Sequence, residues 1–183
     1  MKPEDCITGL LLHLGEDCSR EGLRDTPSRV VRAYEELTSG NKQDPRKILG
    51  TVFTSDYDEM IIVNDIPFVS LCEHHLMPFW GKACIGYVPS EGKIVGLSKL
   101  PRLVQCYARR LQIQEQLTQQ IAKAINDILQ PMGVGVLLTG THSCMHFRGI
   151  NSHGSMTTSC LLGVFKDKPE ARAEFLDLAR SKE

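Results

Sequence analysis

The chain has 183 residues, 42% of them hydrophobic and 23% charged, which is ordinary for a folded domain. This length suits one domain with a sizeable core, or one core with a small helical appendage. The net charge of -1 gives no reason to expect binding to nucleic acid or to a membrane surface. No apolar run approaches the ~20 residues that span a bilayer, and the N-terminus lacks the apolar core of a secretion signal. We therefore expect a cytoplasmic protein.

The N-terminal region predicts two helices. Residues 3–15 carry apolar side chains at helical spacing. In the next helix, Thr26 is expected to be the N-cap, Pro27 suits the first helical position, and an apolar stripe ends at Gly40. Arg29 lies in the first turn, which is an electrostatically unfavourable place for a cation. It is therefore either a solvated side chain or part of an anion site.

The rest of the chain predicts strands, then a helix pair, then further strands. The expected strands cover residues 60–63, 66–70, 82–88, 94–97, 134–139 and 156–165. Between the expected strands 94–97 and 134–139 lie two helices, one capped by Ser98 and one from about Gln112 to Gln130. A terminal helix is expected over 170–180. This order favours an α+β fold with an antiparallel sheet over a Rossmann arrangement. The chain contains neither common glycine-rich phosphate loop.

Two clusters of cysteine and histidine side chains suggest a metal site. They contain Cys72, His74 and His75 in the first cluster, and His142, Cys144 and His146 in the second. Cys72 and His75 are three residues apart, so one turn can direct both at one ion, and Cys144 is the best third ligand. Such a set leaves a fourth position for water, as in a catalytic zinc site. The alternative is a closed structural site made of two cysteines and two histidines. His74 would point elsewhere and be free to carry protons.

A second informative stretch begins at the helix that Ser98 caps. Lys99 and Arg102 lie in its first turn, where free N–H groups and the positive end of the dipole favour an anion. Cations at this end cost stability unless an anion is bound, although an ordinary capped helix with solvated side chains is the alternative. Arg148 follows Cys144 by four residues and could reach a phosphate bound close to the metal.

The amide-rich stretch Gln112–Gln120 holds one carboxylate, Glu115. A carboxylate that faces the N–H edge of a purine gives the paired, charge-assisted bonding that recognises guanine. The alternative is a solvated helix face, which is the commoner meaning of such a stretch.

Together these stretches resemble GTP cyclohydrolase I, the zinc enzyme family that begins pterin and tetrahydrofolate synthesis. The resemblance runs from about Gly22 to Phe175. It rests on six motifs in order: Gly22–Val30, Cys72–His75, Gly96–Lys99, Gln114–Thr118, His142–Cys144 and Arg148–Gly149.

The resemblance implies a tunnelling fold, which is an antiparallel β-sheet with a packed helix pair, plus N-terminal helices. It divides the chain into an N-terminal helical segment, residues 1–48, and a catalytic domain, residues 49–183. It also implies a homo-oligomer, typically a decamer, whose active sites are shared between subunits. The implied reaction opens the guanine imidazole ring of GTP, releases C8 as formate and rearranges the ribose, giving 7,8-dihydroneopterin triphosphate.

The resemblance also assigns roles to individual residues. It makes Cys72, His75 and Cys144 the Zn2+ ligands. It makes His74 and His142 the proton-transfer residues, with Ser98 assisting the rearrangement. It places guanine against Gln114 and Glu115, and it lines the ribose and triphosphate site with Ser98, Lys99, Arg102, Arg148 and Arg29.

The chain departs from the family pattern beside Arg148. The segment after it is about one residue shorter than usual. His146 replaces an apolar residue or lysine, and Leu111 stands where proline is common. His146 and His153 are therefore either additional metal or proton ligands, or surface histidines. The altered loop, residues 151–159, leaves open a related cyclohydrolase acting on a modified purine nucleotide. A non-catalytic, zinc-stabilised assembly module is the rival from another class.

Overall fold

The computed structural model describes residues 1–180. Its helices are α1 (Pro3–His13), α2 (Glu21–Arg24), α3 (Thr26–Leu37), α4 (Pro45–Leu49), α5 (Lys99–Ala108), α6 (Gln114–Leu129), α7 (Ser143–His146), α8 (Val164–Asp167) and α9 (Pro169–Ala179), with a 3-10 turn at Ser39–Lys42. Its strands are β1 (Val52–Thr54), β2 (Ile61–Cys72), β3 (Pro78–Val88), β4 (Lys93–Val95), β5 (Leu111–Gln112), β6 (Gly133–His142) and β7 (Met156–Gly163). None of the helices within residues 1–180 is long and apolar enough to cross a membrane.

The main sheet has five strands in the order β5-β2-β3-β6-β7, while β1 and β4 form a separate two-stranded ladder. Neighbouring strands of the main sheet are antiparallel except β5, which pairs with β2 in parallel. The two expected strands 60–63 and 66–70 are one continuous strand, because a register shift between Val63 and Ile66 accommodates the polar residues between them. Asp65 sits in this bulge with φ 55°.

The helix pair α5 and α6 packs on one face of the main sheet and covers the core. Both helices turn their apolar side chains towards strand residues that alternate along β2, β3 and β6, as expected for a half-buried sheet. The expected α+β fold, in which an antiparallel sheet carries a helix pair and N-terminal helices precede it, is confirmed.

The opposite face of the sheet receives the C-terminal helix. The ring of Phe175 on α9 is fully buried and lies against Gly86 and Gly135, which pair across β3 and β6. A Cβ built on either glycine would lie 2.8 Å from ring atoms of Phe175, so the absence of side chains there makes the space for the ring. The ring of Phe165 packs against that of Phe175, with the centroids 5.2 Å apart and the planes inclined at 44°.

The N-terminal helices α1 and α3 pack on each other and bury no residue fully in the single chain. The expected cap at Thr26 was wrong by one residue, since Asp25 is the N-cap and Thr26 begins the helix. Further on, Leu49 is fully buried in the main core, and Gly40 lies so close to α5 that a Cβ would overlap the Cys106 carbonyl. The division at residue 48 stays a prediction.

Candidate metal centre and its cavity

The structure brings the three predicted metal ligands together. The Sγ atoms of Cys72 and Cys144 and a ring nitrogen of His75 all lie within 4.8 Å of one another. Cys72 Sγ is 3.7 Å from His75 Nδ1. Thiolate and imidazole ligands of one tetrahedral zinc ion stand about 3.5 Å apart, so this donor set fits such an ion. Within residues 1–180, neither His74 nor His142 joins the group, so the closed site with two histidines does not form here.

A tight turn after β2 directs Cys72 and His75 to the same point. The N–H of Leu76 donates to the carbonyl of Cys72 at 2.8 Å, and the N–H of Cys72 donates to the carbonyl of Met77 at 2.8 Å. Leu76 has φ 54°, the left-handed conformation that reverses the chain here. The hydroxyl of Tyr34 on α3 donates to the Leu76 carbonyl at 2.9 Å, which ties the N-terminal helices to this turn.

Cys144 reaches the centre because α7 starts where β6 ends. The hydroxyl of Ser143 donates to the Pro78 carbonyl at 2.5 Å, which anchors α7 to the start of β3. Burial, together with the neighbouring Cys72 thiol, raises the pKa of the Cys144 thiol. A bound cation would reverse this effect, because it stabilises the thiolate.

A cavity of about 250 Å³ opens beside the metal ligands, between the two Cys/His clusters and residues 112–115. The imidazole of His142 forms part of its wall and stacks flat on Phe79, with ring centroids 4.5 Å apart and planes 4° apart. Burial lowers the pKa of His142, and the nearby Glu115 carboxylate opposes that change. His142 therefore lies beside the candidate ligands with a pKa below its ordinary value.

His74 and Glu115 lie on the same cavity with exposed side chains. His74 Nδ1 is 3.9 Å from Cys72 Sγ, and its Nε2 is 3.9 Å from a Glu73 carboxylate oxygen. Glu115 lies in the first turn of α6, where the helix dipole favours a carboxylate. Both residues are available to a substrate, as the sequence predicted, and their roles stay predictions.

Gln114 has a different environment from the one the sequence suggested. Its side chain is only 1% exposed, and its Oε1 lies 3.0 Å from His142 Nε2. Its amide nitrogen lies near acceptors on β6 and β7, among them the Thr158 hydroxyl at 3.1 Å. The predicted guanine contact of Gln114 stays a prediction. Sequence reasoning missed Thr158 and Phe79, because no local pattern reveals which side chains meet across strands.

Three of the predicted anion-site residues, Ser98, Lys99 and Arg102, lie away from the metal cluster of their own chain. Ser98 precedes α5 as its N-cap without a side-chain capping bond, and it follows β4, whose Val95 N–H donates to the Tyr87 hydroxyl at 3.1 Å. Tyr87 stands about 26 Å along β3 from Phe79, which pairs with His142 at the metal end. Lys99 and Arg102 follow Ser98 in the first turn of α5, so they lie at the same end of the sheet as Tyr87, away from the metal cluster.

The two other predicted cations, Arg148 and Arg29, differ in what they contact. Arg148 donates from Nη1 to His75 Nε2 at 2.9 Å. Arg29 is exposed on α3 and pairs with Asp25 at 3.2 Å. Arg148 is thus beside the candidate ligands, whereas the role of Arg29 stays a prediction.

His146 and His153 lie in and beside the altered loop after Arg148. Their rings are 4.6 Å apart and inclined at 72°. His146 Nε2 is buried and has no hydrogen-bond partner within the described residues. Neither histidine belongs to the ligand group found in residues 1–180.

The site as a whole has the design of a metal-dependent hydrolase: three converging thiol and imidazole side chains, an open cavity beside them, and a half-buried histidine on its wall. The sequence model of the family "GTP cyclohydrolase I" matches residues 4–180. The protein "GTP cyclohydrolase 1" of Leptospira biflexa is 50% identical over 180 residues, covering 97% of this chain and 98% of its own. That of Campylobacter concisus is 49% identical, covering 97% and 94%. This chain therefore belongs to the GTP cyclohydrolase I family.

A solved structure titled as archaeosine synthase QueF-Like in the apo form has a TM-score of 0.49 and 14% identity, covering 60% of this chain and 97% of that one. A likeness this low leaves the fold to be argued from the topology of the chain itself.

Proposed function

We propose that this chain hydrolyses and rearranges GTP to 7,8-dihydroneopterin triphosphate with release of formate, the first step of pterin and folate synthesis. The observation that carries the proposal is the convergence of Cys72, His75 and Cys144 on a cavity that His142 also lines. Family membership over residues 4–180 supports the same activity.

We propose Zn2+ as the metal, held by Cys72, His75 and Cys144. Two thiols and one imidazole are the soft and borderline donors that zinc prefers, and a three-ligand set leaves a position for water. When bound, zinc supplies Lewis-acid activation of water near neutral pH. All seven cysteines are free thiols, which supports the proposed cytoplasmic location, where thiols stay reduced.

The residues around the cavity account for the remaining chemistry. Glu115 holds guanine through charge-assisted bonds to its N–H edge. His142, on the cavity wall beside the candidate ligands, takes a proton from the attacking water and passes it to the ring nitrogen that leaves C8. His74 is exposed at the rim and exchanges protons with solvent. Ser98 assists the ribose rearrangement after C8 has left as formate.

The substrate phosphates need cations in addition to Arg148. Arg148 lies at the metal end, but Ser98, Lys99 and Arg102 lie a strand length away. We propose a homo-oligomer, a decamer by its family, in which the α5 end of one subunit completes the metal cavity of another. Bound triphosphate would offset the unfavourable placement of cations at the start of α5.

Incubation of the zinc-loaded protein with GTP tests the activity, with formate and pterin fluorescence as separate readouts. Both signals are expected. Formate without pterin would place a defect in the rearrangement, and neither signal from assembled, zinc-loaded protein would overturn the proposed function. His142→Ala should keep zinc and assembly but lose turnover, whereas a non-catalytic zinc module would tolerate it.

Zinc content tests the ligand set. Cys144→Ala should lose both zinc and turnover, because two remaining ligands bind the ion far more weakly. Cys6→Ala is the matched control, since Cys6 is an exposed free thiol on α1. Retention of zinc by Cys144→Ala would mean that another residue is the third ligand.

Mixing inactive variants tests the shared site. Cys144→Ala removes the metal half and Lys99→Ala removes the anion half, so each alone should be inactive. Random reassembly of the two should place intact halves together in about one quarter of shared interfaces. No activity in the reassembled mixture would contradict sharing between subunits.

A further inference from the structure

The Gln114 side chain is enclosed between α6, β6 and β7 in a way that fixes its orientation. Its Nε2 lies 3.2 Å from the Leu138 carbonyl oxygen and 2.9 Å from that of Met156. Carbonyl oxygens only accept hydrogen bonds, so the amide group that faces them is the NH2. The oxygen, Oε1, therefore faces His142 Nε2 at 3.0 Å. Because Oε1 also only accepts, His142 carries its hydrogen on Nε2.

Two hydroxyls extend this directionality through the core. Thr118 Oγ1 lies 2.7 Å from the backbone carbonyl oxygen of Gln114, so the Thr118 hydroxyl is the donor in that bond. Thr118 Oγ1 then accepts from the Thr158 hydroxyl, which is also 2.7 Å away. With its hydrogen used in this way, Thr158 Oγ1 accepts from Gln114 Nε2 at 3.1 Å. Every bond of the network thus favours the same orientation of the amide.

Neighbouring residues also restrict the movement of the His142 ring and of the Gln114 side-chain amide. Phe79 is stacked on the His142 imidazole, which limits tilting of the ring. Gly140 leaves room for the acceptor, because a Cβ there would lie 2.5 Å from Gln114 Oε1. With Nε2 occupied by Gln114, Nδ1 is the His142 nitrogen that remains for a substrate.

We propose that Gln114, Thr158 and Thr118 are positioning residues that hold His142 as its Nε2–H tautomer, so that protons are exchanged with the substrate at Nδ1. During hydrolysis, Nδ1 takes a proton from the attacking water, and that Nδ1–H bond breaks when the proton passes to the leaving ring nitrogen. The Nε2–H bond to Gln114 persists throughout. The identity of the reaction rests on the proposed function, whereas the tautomer rests on the network alone.

Nitrogen NMR of protein labelled with 15N-histidine tests the tautomer directly. The chain has six histidines, and the His142→Asn spectrum identifies the signals of His142 by difference. We expect a protonated Nε2 and an unprotonated Nδ1 in the neutral ring. A protonated Nδ1 would overturn the proposal, whether or not the protein acts on GTP.

Kinetics of Gln114→Met test whether the positioning matters for the reaction. Methionine keeps the volume but offers Nε2–H no comparable acceptor, so we expect mixed tautomers and a kcat about 10²-fold lower, within the range of general acid–base effects. Zinc content and KM for GTP should change little. A raised KM with an unchanged kcat and an unchanged His142 spectrum would instead assign Gln114 to guanine binding and overturn the proposal.

The pair Thr158→Val and Thr158→Ser separates positioning from packing. Valine matches the shape of threonine but removes the hydroxyl, whereas serine keeps the hydroxyl and removes a methyl group. We expect Thr158→Ser to retain the wild-type His142 spectrum and kcat better than Thr158→Val does. The reverse order would mean that Thr158 acts through packing and not through the network.

Discussion

The contact of Phe175 with Gly86 and Gly135 predicts a strong energetic coupling between the C-terminal helix and the sheet. We consider Gly135→Ala, Phe175→Ala and the double variant. In the wild-type structure an alanine Cβ at position 135 would lie 2.8 Å from two atoms of the Phe175 ring. Without the ring, the same methyl group meets open space that the missing side chain has left.

The size of each effect follows from burial. Phe175 is fully buried, so Phe175→Ala should cost about 3–5 kcal/mol of unfolding free energy. Gly135→Ala should cost about 1–3 kcal/mol, because it overpacks a filled interface. The added methyl partly fills the cavity in the double variant. The loss of unfolding free energy in the double variant should therefore be smaller than the sum of the two single losses by about 0.5–3 kcal/mol.

Urea unfolding followed by circular dichroism, at one fixed protein concentration, measures all four corners of the cycle. Leu178→Ala is the control on the same helix, since Leu178 is 50% exposed and its loss should change stability by about 0.5 kcal/mol or less. Additivity of the two changes within about 0.5 kcal/mol would refute the reasoning, because the ring would then not rest on the glycine pair.

Three further predictions concern single residues. Gly140→Ala should displace Gln114 Oε1 from His142, because the added Cβ would lie 2.5 Å from that oxygen. The kcat for formate release should fall by about tenfold or more at unchanged zinc content, and an unchanged kcat would contradict this displacement. Because burial lowers the pKa of His142 from 6.5, the unfolded chain takes up a proton that the folded metal-free protein does not. The unfolding free energy of the metal-free protein should therefore decline as the pH falls below 6.5, and more steeply than that of His142→Asn. Parallel pH curves for the two proteins would exclude a lowered pKa of His142. Tyr87→Phe leaves the buried N–H of Val95 without its acceptor and should cost about 1–3 kcal/mol in urea unfolding; full stability would mean that this bond contributes nothing.

Local patterns in the sequence were enough to predict most of the architecture. Alternating and helical periodicities located the strands of the sheet and both core helices, since each reflects which face is buried. They failed where tertiary pairing overrides the pattern. Gln112 was expected to start a helix, yet it belongs to β5 and pairs with Cys72. Asp65 looked like a strand boundary, but it occupies a bulge within one strand.

The candidate metal ligands could be proposed from the sequence for a related reason, and their surroundings could not. Cys72 and His75 are close in sequence, so the chemistry of their side chains is visible before the fold is known. The meeting of Gln114 with Thr158 depends on the register of β7 against β6, where Leu138 pairs with Thr158. No spacing within a single segment encodes that register. For the same reason, the sequence could not reveal that Lys99 stands at the far end of the sheet from Cys72.

The turn from Cys72 to Met77 has a consequence for how the protein handles its metal. Its backbone bonds, the left-handed Leu76 and the anchoring hydroxyl of Tyr34 are all contributed by the protein itself. Cys144 is likewise set by an anchored helix and a paired strand. The turn, the anchored helix and the buried core arrange the candidate ligands through protein contacts, in contrast to zinc fingers, whose fold depends on the ion. We therefore expect the protein to stay folded when a chelator removes its metal, and circular dichroism before and after chelation measures this.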